Sequence, residues 1–160
     1  MLAAASIGAV FSSASPDFGA NGVVDRFGQI EPVVLFAIDG YRYNGKDFDC
    51  LERLAEIRAR LTTVTTTVLV RATNSSSAPN GVVDYEEFLA SGAKAPARPE
   101  RFAFDHPWYV LYSSGTTGVP KCIVHRAGGV FIQHVKEHRL HCDVREGDRV
   151  AYFTTTGWMM

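Results

Sequence analysis

Six consecutive apolar residues, Val33-Val34-Leu35-Phe36-Ala37-Ile38, lie between Pro32 and the turn-forming pair Asp39-Gly40. The run has the length of a strand, and its lack of polar alternation predicts a strand buried on both faces. Strands of that kind belong inside parallel sheets with helices covering each side. Flanking segments supply such helices. Residues 21–30 carry Val23, Val24, Phe27 and Ile30 at helical spacing, and residues 48–61 place Leu51, Leu54, Ile57 and Leu61 on one stripe. Residues 62–70 are rich in β-branched side chains and predict the next strand. Between them, residues 41–48 read as a polar connection centred on Asn44-Gly45.

The alternation continues along the chain. Residues 1–7 read as a helix, 9–13 as a short strand and 15–19 as a turn. A polar loop over 71–80 leads to a helix over 83–91 capped by Asp84, then a linker-like run over 93–99. Strands over 108–112 and 122–125 flank a glycine-rich segment, followed by a helix over 128–138 and a strand over 148–153. The expected fold class is therefore α/β, a mainly parallel sheet with flanking helices. Right-handed crossovers would bring the loop ends to one edge of that sheet.

Bulk properties narrow the function. With 160 residues the chain is long enough for one domain with a core, and 46% apolar and 21% charged residues are ordinary for a water-soluble protein. Sixteen basic against seventeen acidic residues give a net charge of −1, so nothing points to nucleic acid or an anionic membrane. The apolar start, Met1 to Phe11, lacks a basic flank and is too short to span a bilayer, so no membrane insertion is expected. Three cysteines, Cys50, Cys122 and Cys142, with no Cys-x-x-Cys pair, argue against a disulfide framework or zinc and for a reducing cytoplasm. Cys122 follows Lys121 directly, but a nucleophilic thiol needs a base partner that no residue pattern supplies.

The segment Tyr112-Ser113-Ser114-Gly115-Thr116-Thr117-Gly118-Val119-Pro120-Lys121 carries the chemistry. Glycines let the backbone approach a phosphate and aim successive N–H groups at it. Serine and threonine hydroxyls add neutral donors, Lys121 adds a mobile cation, and Pro120 stiffens the exit. A Walker A loop would end in Gly-Lys-Ser/Thr; here Pro120 precedes and Cys122 follows the lysine. A flexible Gly/Ser/Thr turn has the same composition, and only the order of residues separates the two readings.

Two features invite other readings. His134-Val135-Lys136-Glu137-His138 matches the His-x-x-Glu-His pattern of inverted zinc peptidases. The helix's apolar stripe is expected to run through Val130, Phe131 and Val135, leaving both histidines on a solvated face, and no metal ligand is assigned. His125 reads as a hydrogen-bonded strand-end histidine rather than a catalytic one.

The ordered loop resembles the signature of the adenylate-forming superfamily, which includes acyl-CoA synthetases, luciferases and peptide-synthetase adenylation domains. Four more stretches are similar to the acetoacetyl-CoA synthetase family. They are Ser13-Ala14-Ser15-Pro16-Asp17-Phe18-Gly19, Asp25-Arg26-Phe27-Gly28-Gln29-Ile30-Glu31-Pro32, Asp39-Gly40-Tyr41-Arg42-Tyr43-Asn44-Gly45-Lys46 and Phe153-Thr154-Thr155-Thr156-Gly157-Trp158-Met159-Met160. His106-Pro107 fits the same family. Acetyl- and propionyl-CoA synthetases share a Gly-Trp segment and stand as the alternative, as does a non-catalytic nucleotide-binding remnant; the Thr-Thr-Thr-Gly-Trp-Met-Met form favours the acetoacetate branch.

The resemblance implies ATP-dependent activation of acetoacetate to acetoacetyl-AMP and transfer to coenzyme A, with Mg²⁺ on the phosphates. It implies that Ser113, Ser114, Gly115, Thr116, Thr117, Gly118 and Lys121 bind the ATP phosphates, with Lys121 stabilising charge during catalysis. Gly157, Trp158 and Met159 would line the acyl pocket, an ordinary core aromatic being the other role open to Trp158. Partners would be small molecules in the cytoplasm. The chain would then be an internal fragment, residues 1–160 forming part of the N-terminal AMP-binding domain, without the C-terminal lysine-bearing domain. Such a piece is expected to be inactive alone and to leave interior strands at exposed sheet edges.

Overall fold

The computed structural model describes residues 1–73, 78–92, 99–113 and 118–152. In chain order the elements are α1 (Leu2–Ser6), β1 (Phe11–Ser12), α2 (Ala20–Phe27), β2 (Val34–Ile38), β3 (Gly40–Tyr43), β4 (Lys46–Asp49), α3 (Leu51–Arg60), β5 (Thr66–Val70) and β6 (Val83–Asp84). Then come α4 (Tyr85–Gly92), β7 (Pro107–Ser113), β8 (Lys121–Arg126) and α5 (Ala127–Lys136), which runs on as a π turn over Glu137–His141. The chain divides into two compact units, Ala14–Pro96 and Met1–Ser13 with Ala97–Met160.

In the unit Ala14–Pro96 the strands order β2-β5-β6, both ladders parallel. The α/β class therefore stands, but the doubly buried strand is β5, not the 33–38 run. Thr67, Val68 and Leu69 are 3%, 0% and 1% exposed, whereas Val34 and Phe36 of β2 are 46% and 53% exposed. The reason is position. β5 is flanked by β2 and β6, while β2 has β5 alone as a described neighbour and buries mainly Leu35. Against this sheet α2 and α3 bury Val23, Phe27, Leu54 and Ile57, as their spacing predicts.

The polar connection over 41–48 is instead a β-hairpin. β3 and β4 pair antiparallel with Tyr43 opposite Lys46. The two-residue turn has Asn44 at φ 48° and Gly45 at φ 75°, the doubly positive geometry of a type I′ turn. Tyr41 and Phe48 stack across the ladder, centroids 5.0 Å apart. Because the hairpin uses residues up to Asp49, α3 starts at Leu51, the first residue of its apolar stripe, rather than at residue 48, and Asp49 Oδ1 accepts the Leu51 N–H at 2.8 Å. The expected Asp84 cap is present: its Oδ1 accepts the Glu86 N–H at 3.0 Å. The hydrogen-bonded Arg71 guanidinium holds this carboxyl below the usual carboxylate range.

In the second unit the strands order β1-β7-β8, with β1 parallel and β8 antiparallel to β7. Over the described ladders, three are parallel and two antiparallel, so each unit combines parallel strands with one antiparallel hairpin. The strand expected over 148–153 is absent over 148–152; Val150 and Tyr152 are 67% and 79% exposed and no described strand pairs with them. Apolar, β-branched character alone does not make a strand without a neighbour to bond. Residues 74–77 of the expected polar loop and 93–98 of the expected linker lie outside the described residues.

Candidate functional site

β7 and β8 bracket the glycine-rich segment. Their register pairs Tyr112 with Cys122 and Ser113 with Lys121. Both ends of the loop therefore leave the ladder at one rung, and cross-strand partners share a face. The Ser113 hydroxyl and the Lys121 ammonium thus stand on the same side of the hairpin. Lys121 is exposed and forms no ion pair among the described residues. A phosphate approaching this edge meets a cation that no described carboxylate neutralises.

Gly118 sets the return of the loop with φ 112°, a backbone conformation that L side chains rarely adopt. A Cβ there would touch nothing within 4 Å, so the requirement for glycine is conformational, not one of space. β1 runs parallel to β7, so the carboxyl ends of both strands, after Ser12 and Ser113, open on one edge. Ligands of open α/β sheets bind outside that edge. Ser114, Gly115, Thr116 and Thr117 lie outside the described residues, as do Gly157, Trp158 and Met159.

Other candidates are not brought to the loop. His125 pairs with Tyr109, four residues along β8 from Lys121, which is about 13 Å of strand. Its ring stacks on Tyr109 at 4.6 Å. Burial, then the neighbouring His134, holds its pKa below the ordinary histidine value, so the ring favours the neutral form. The expected hydrogen bond is missing: His125 Nε2 is buried with no partner among the described residues, as is Trp108 Nε1. Cys122 faces Tyr112 and so lies on the side of the hairpin away from Lys121.

The rings of His134 and His138 stack with centroids 6.2 Å apart, and Glu137 is engaged by Lys136 at 2.9 Å and Gln133 at 2.9 Å. Among the described residues no group of three or more His, Cys, Asp or Glu converges on a metal position. The apolar stripe expected on this helix is corrected in one respect: Val130 is buried, but Phe131 and Val135 are 68% and 45% exposed.

One contact at the site had no local signal. Ser12 on β1 places its Oγ 2.8 Å from the Val110 carbonyl and 3.0 Å from the Tyr112 hydroxyl. These residues are 98 and 100 positions apart, beyond the reach of any spacing pattern.

The sequence profile of the family described as "AMP-binding enzyme" matches residues 1–160. The chain belongs to the AMP-binding enzyme family. Within that family it is similar to the acetoacetyl-coenzyme A synthetase of Rhizobium meliloti (strain 1021), 51% identical over 162 residues, spanning 100% of this chain and 25% of that protein. The acetoacetyl-CoA synthetase of Gallus gallus is 49% identical, with the same shares covered. A solved structure, acetoacetyl-CoA synthetase from Streptomyces lividans, superposes with a TM-score of 0.91 at 48% identity, over 99% of this chain and 24% of that one. The chain spans about a quarter of the length of the relatives it matches. Among the described residues no helix is long and apolar enough to cross a membrane.

Proposed function

We propose that this chain is part of the N-terminal, AMP-binding domain of an acid–thiol ligase that activates acetoacetate with ATP and passes the acyl group to coenzyme A. The observation that carries the reading is the Ser113–Lys121 rung at the mouth of the glycine-rich loop. It sits in a chain 48–51% identical to acetoacetyl-CoA synthetases across nearly all its length.

In the first step a carboxylate oxygen of acetoacetate bonds to the α-phosphorus of ATP, and the bond to pyrophosphate breaks. Negative charge collects on the leaving pyrophosphate. Lys121, with donors from Ser113, Ser114, Gly115, Thr116, Thr117 and Gly118, holds that group and takes up the charge as it forms. In the second step the coenzyme A thiol attacks the acyl carbonyl and AMP leaves. Mg²⁺ enters with ATP as part of the substrate. From Ser113 to Lys121 the loop has no carboxylate, so its donor set fits phosphate oxygens rather than the metal. Gly157, Trp158 and Met159 are assigned to the acyl pocket on family likeness, a rigid aromatic suiting the wall of a small-ligand site. By family likeness, a lysine-bearing C-terminal domain takes part in the machinery of such ligases. A cytoplasmic setting is inferred from the free thiols of Cys50, Cys122 and Cys142.

Phosphorus NMR of magnesium–ATP tests the core of this reading. The chain should shift and broaden the β- and γ-phosphate resonances, and Lys121→Ala should abolish the effect. An unperturbed spectrum with the wild-type chain, or an identical perturbation with Lys121→Ala, removes the phosphate role. In the longer polypeptide carrying this segment, acetoacetate should drive ATP–pyrophosphate exchange faster than acetate or propionate; the opposite order would replace the acid.

A further inference from the structure

We infer that Ser12 and Tyr112 are positioning residues for the phosphate loop: their hydroxyl pair locks the strand that enters the loop to β1, and so sets where the Ser113–Lys121 rung stands. The inference rests on the phosphate-binding reading above and adds to it two residues that do not themselves touch phosphate.

The hydroxyl geometry has one consistent proton arrangement. Ser12 Oγ lies within hydrogen-bond distance of both the Val110 carbonyl and the Tyr112 hydroxyl. A carbonyl has no proton to give, so Ser12 donates its single proton there. Tyr112 then donates to Ser12 Oγ. The result is a short relay, Tyr112 to Ser12 to the β7 backbone, that ties side chains of two strands to the main chain between them.

Two further observations make this tie matter. β1 contributes only Phe11 and Ser12 to its ladder with β7, so few backbone hydrogen bonds hold the pair together. Tyr112 is 8% exposed, and a buried phenol is held where its hydroxyl finds a partner. Tyr112 is also the residue before Ser113, and its ladder partner Cys122 is the residue after Lys121. Fixing Tyr112 therefore fixes both loop ends. Ser12 is in register with Val110, and both share the face of Tyr112, whereas Ser113 and Lys121 occupy the other face. The pair acts on the rung through the backbone.

The test uses the 160-residue chain, magnesium–ATP as the probe, and three variants. Tyr112→Phe removes one oxygen and keeps the ring packed. Ser12→Ala removes the acceptor, and Ser12→Thr restores it on a strand-compatible side chain. Affinity is read from the phosphorus shifts at a temperature well below unfolding, and the melting temperature is measured separately. Tyr112→Phe and Ser12→Ala should each weaken ATP binding by roughly three- to tenfold, the scale of one neutral hydrogen bond. The double variant should be no worse than the weaker single. Ser12→Thr should bind like wild type. Melting temperatures that fall while affinity stays unchanged would reduce the pair to a structural contact and overturn the inference, as would Ser12→Thr binding no better than Ser12→Ala. If the wild-type chain leaves the phosphate resonances untouched, both this inference and the phosphate-loop reading fail. If it shifts them and Tyr112→Phe shifts them equally, only the positioning role fails.

Discussion

Asp39 organises the junction between the β2 strand, the β3–β4 hairpin and the segment after β5, and replacing it should be costly. Its side chain is 0% exposed. Oδ1 accepts the backbone N–H groups of Ala72 at 2.7 Å and Thr73 at 2.9 Å. Its own N–H donates to the Val70 carbonyl at 3.2 Å, and its carbonyl accepts the Cys50 N–H at 2.8 Å. Asp39→Ala leaves the main-chain bonds but strips two amides of a charged acceptor. Bonds to charged groups are worth about 1.5–3 kcal/mol each. Ala72 is exposed, so water recovers part of that, and the variant no longer buries a carboxylate. The net loss is then about 2–4 kcal/mol. Asp39→Asn keeps a neutral acceptor of the same shape and should lose about 1–2 kcal/mol. With an m-value of about 2 kcal/mol/M, the urea midpoint should fall by about 1–2 M for alanine and by about half that for asparagine. Far-UV circular dichroism of the 160-residue chain reads the transition, and hydrogen exchange at Ala72 and Thr73 reports the site itself. Alanine and asparagine variants equal to wild type, or asparagine worse than alanine, would refute the role given to the carboxylate.

The other expectations can be checked singly. Gly118→Ala forces a Cβ onto φ 112° and should cost about 1–3 kcal/mol of local strain, read as weaker ATP-dependent phosphorus shifts with little change in melting; unchanged shifts would show that the loop tolerates another backbone path. His125 has a folded pKa held below the ordinary value of 6.5, chiefly by burial, so its neutral form favours the fold. Stability should be full above about 6.5 and decline as the pH falls toward the depressed folded value, with His125→Gln flattening that decline between pH 7.5 and 5.5; a wild-type profile no steeper than the variant's would contradict it. Burial pushes the Cys50 thiol pKa up, so iodoacetamide at pH 8 should alkylate exposed Cys142 well before Cys50, and mass spectrometry finding Cys50 modified first would overturn the packing around it.

The amphipathic helices and the family signature were legible because both are local. Helical spacing at Val23, Phe27, Leu54 and Ile57 identified α2 and α3 by itself, and the order of residues from Tyr112 to Lys121 pointed to the AMP-binding enzyme family. The Asn44-Gly45 hairpin was legible too, since Asn-Gly between aromatic residues is a hairpin signal; reading residues 41–48 as a polar connection passed over it. The exposed side of α5 was not legible: apolar residues at helical spacing pick out a stripe, and only the packing around the helix decides that Val130 is covered while Phe131 is not.

By itself, then, the amino-acid order determined where the amphipathic helices α2 and α3 lie, that residues 34–38 and 66–70 are strands, and which residues from Tyr112 to Lys121 carry donors and charge. These properties depend on neighbours a few positions away. Only the tertiary structure decided that β5 rather than β2 is central, that residues 148–152 form no strand, and that Ser113 stands opposite Lys121 with Tyr112 tied to Ser12. Burial and register depend on what lies across a ladder or against a face, and for Ser12 and Tyr112 that neighbour is 100 residues away.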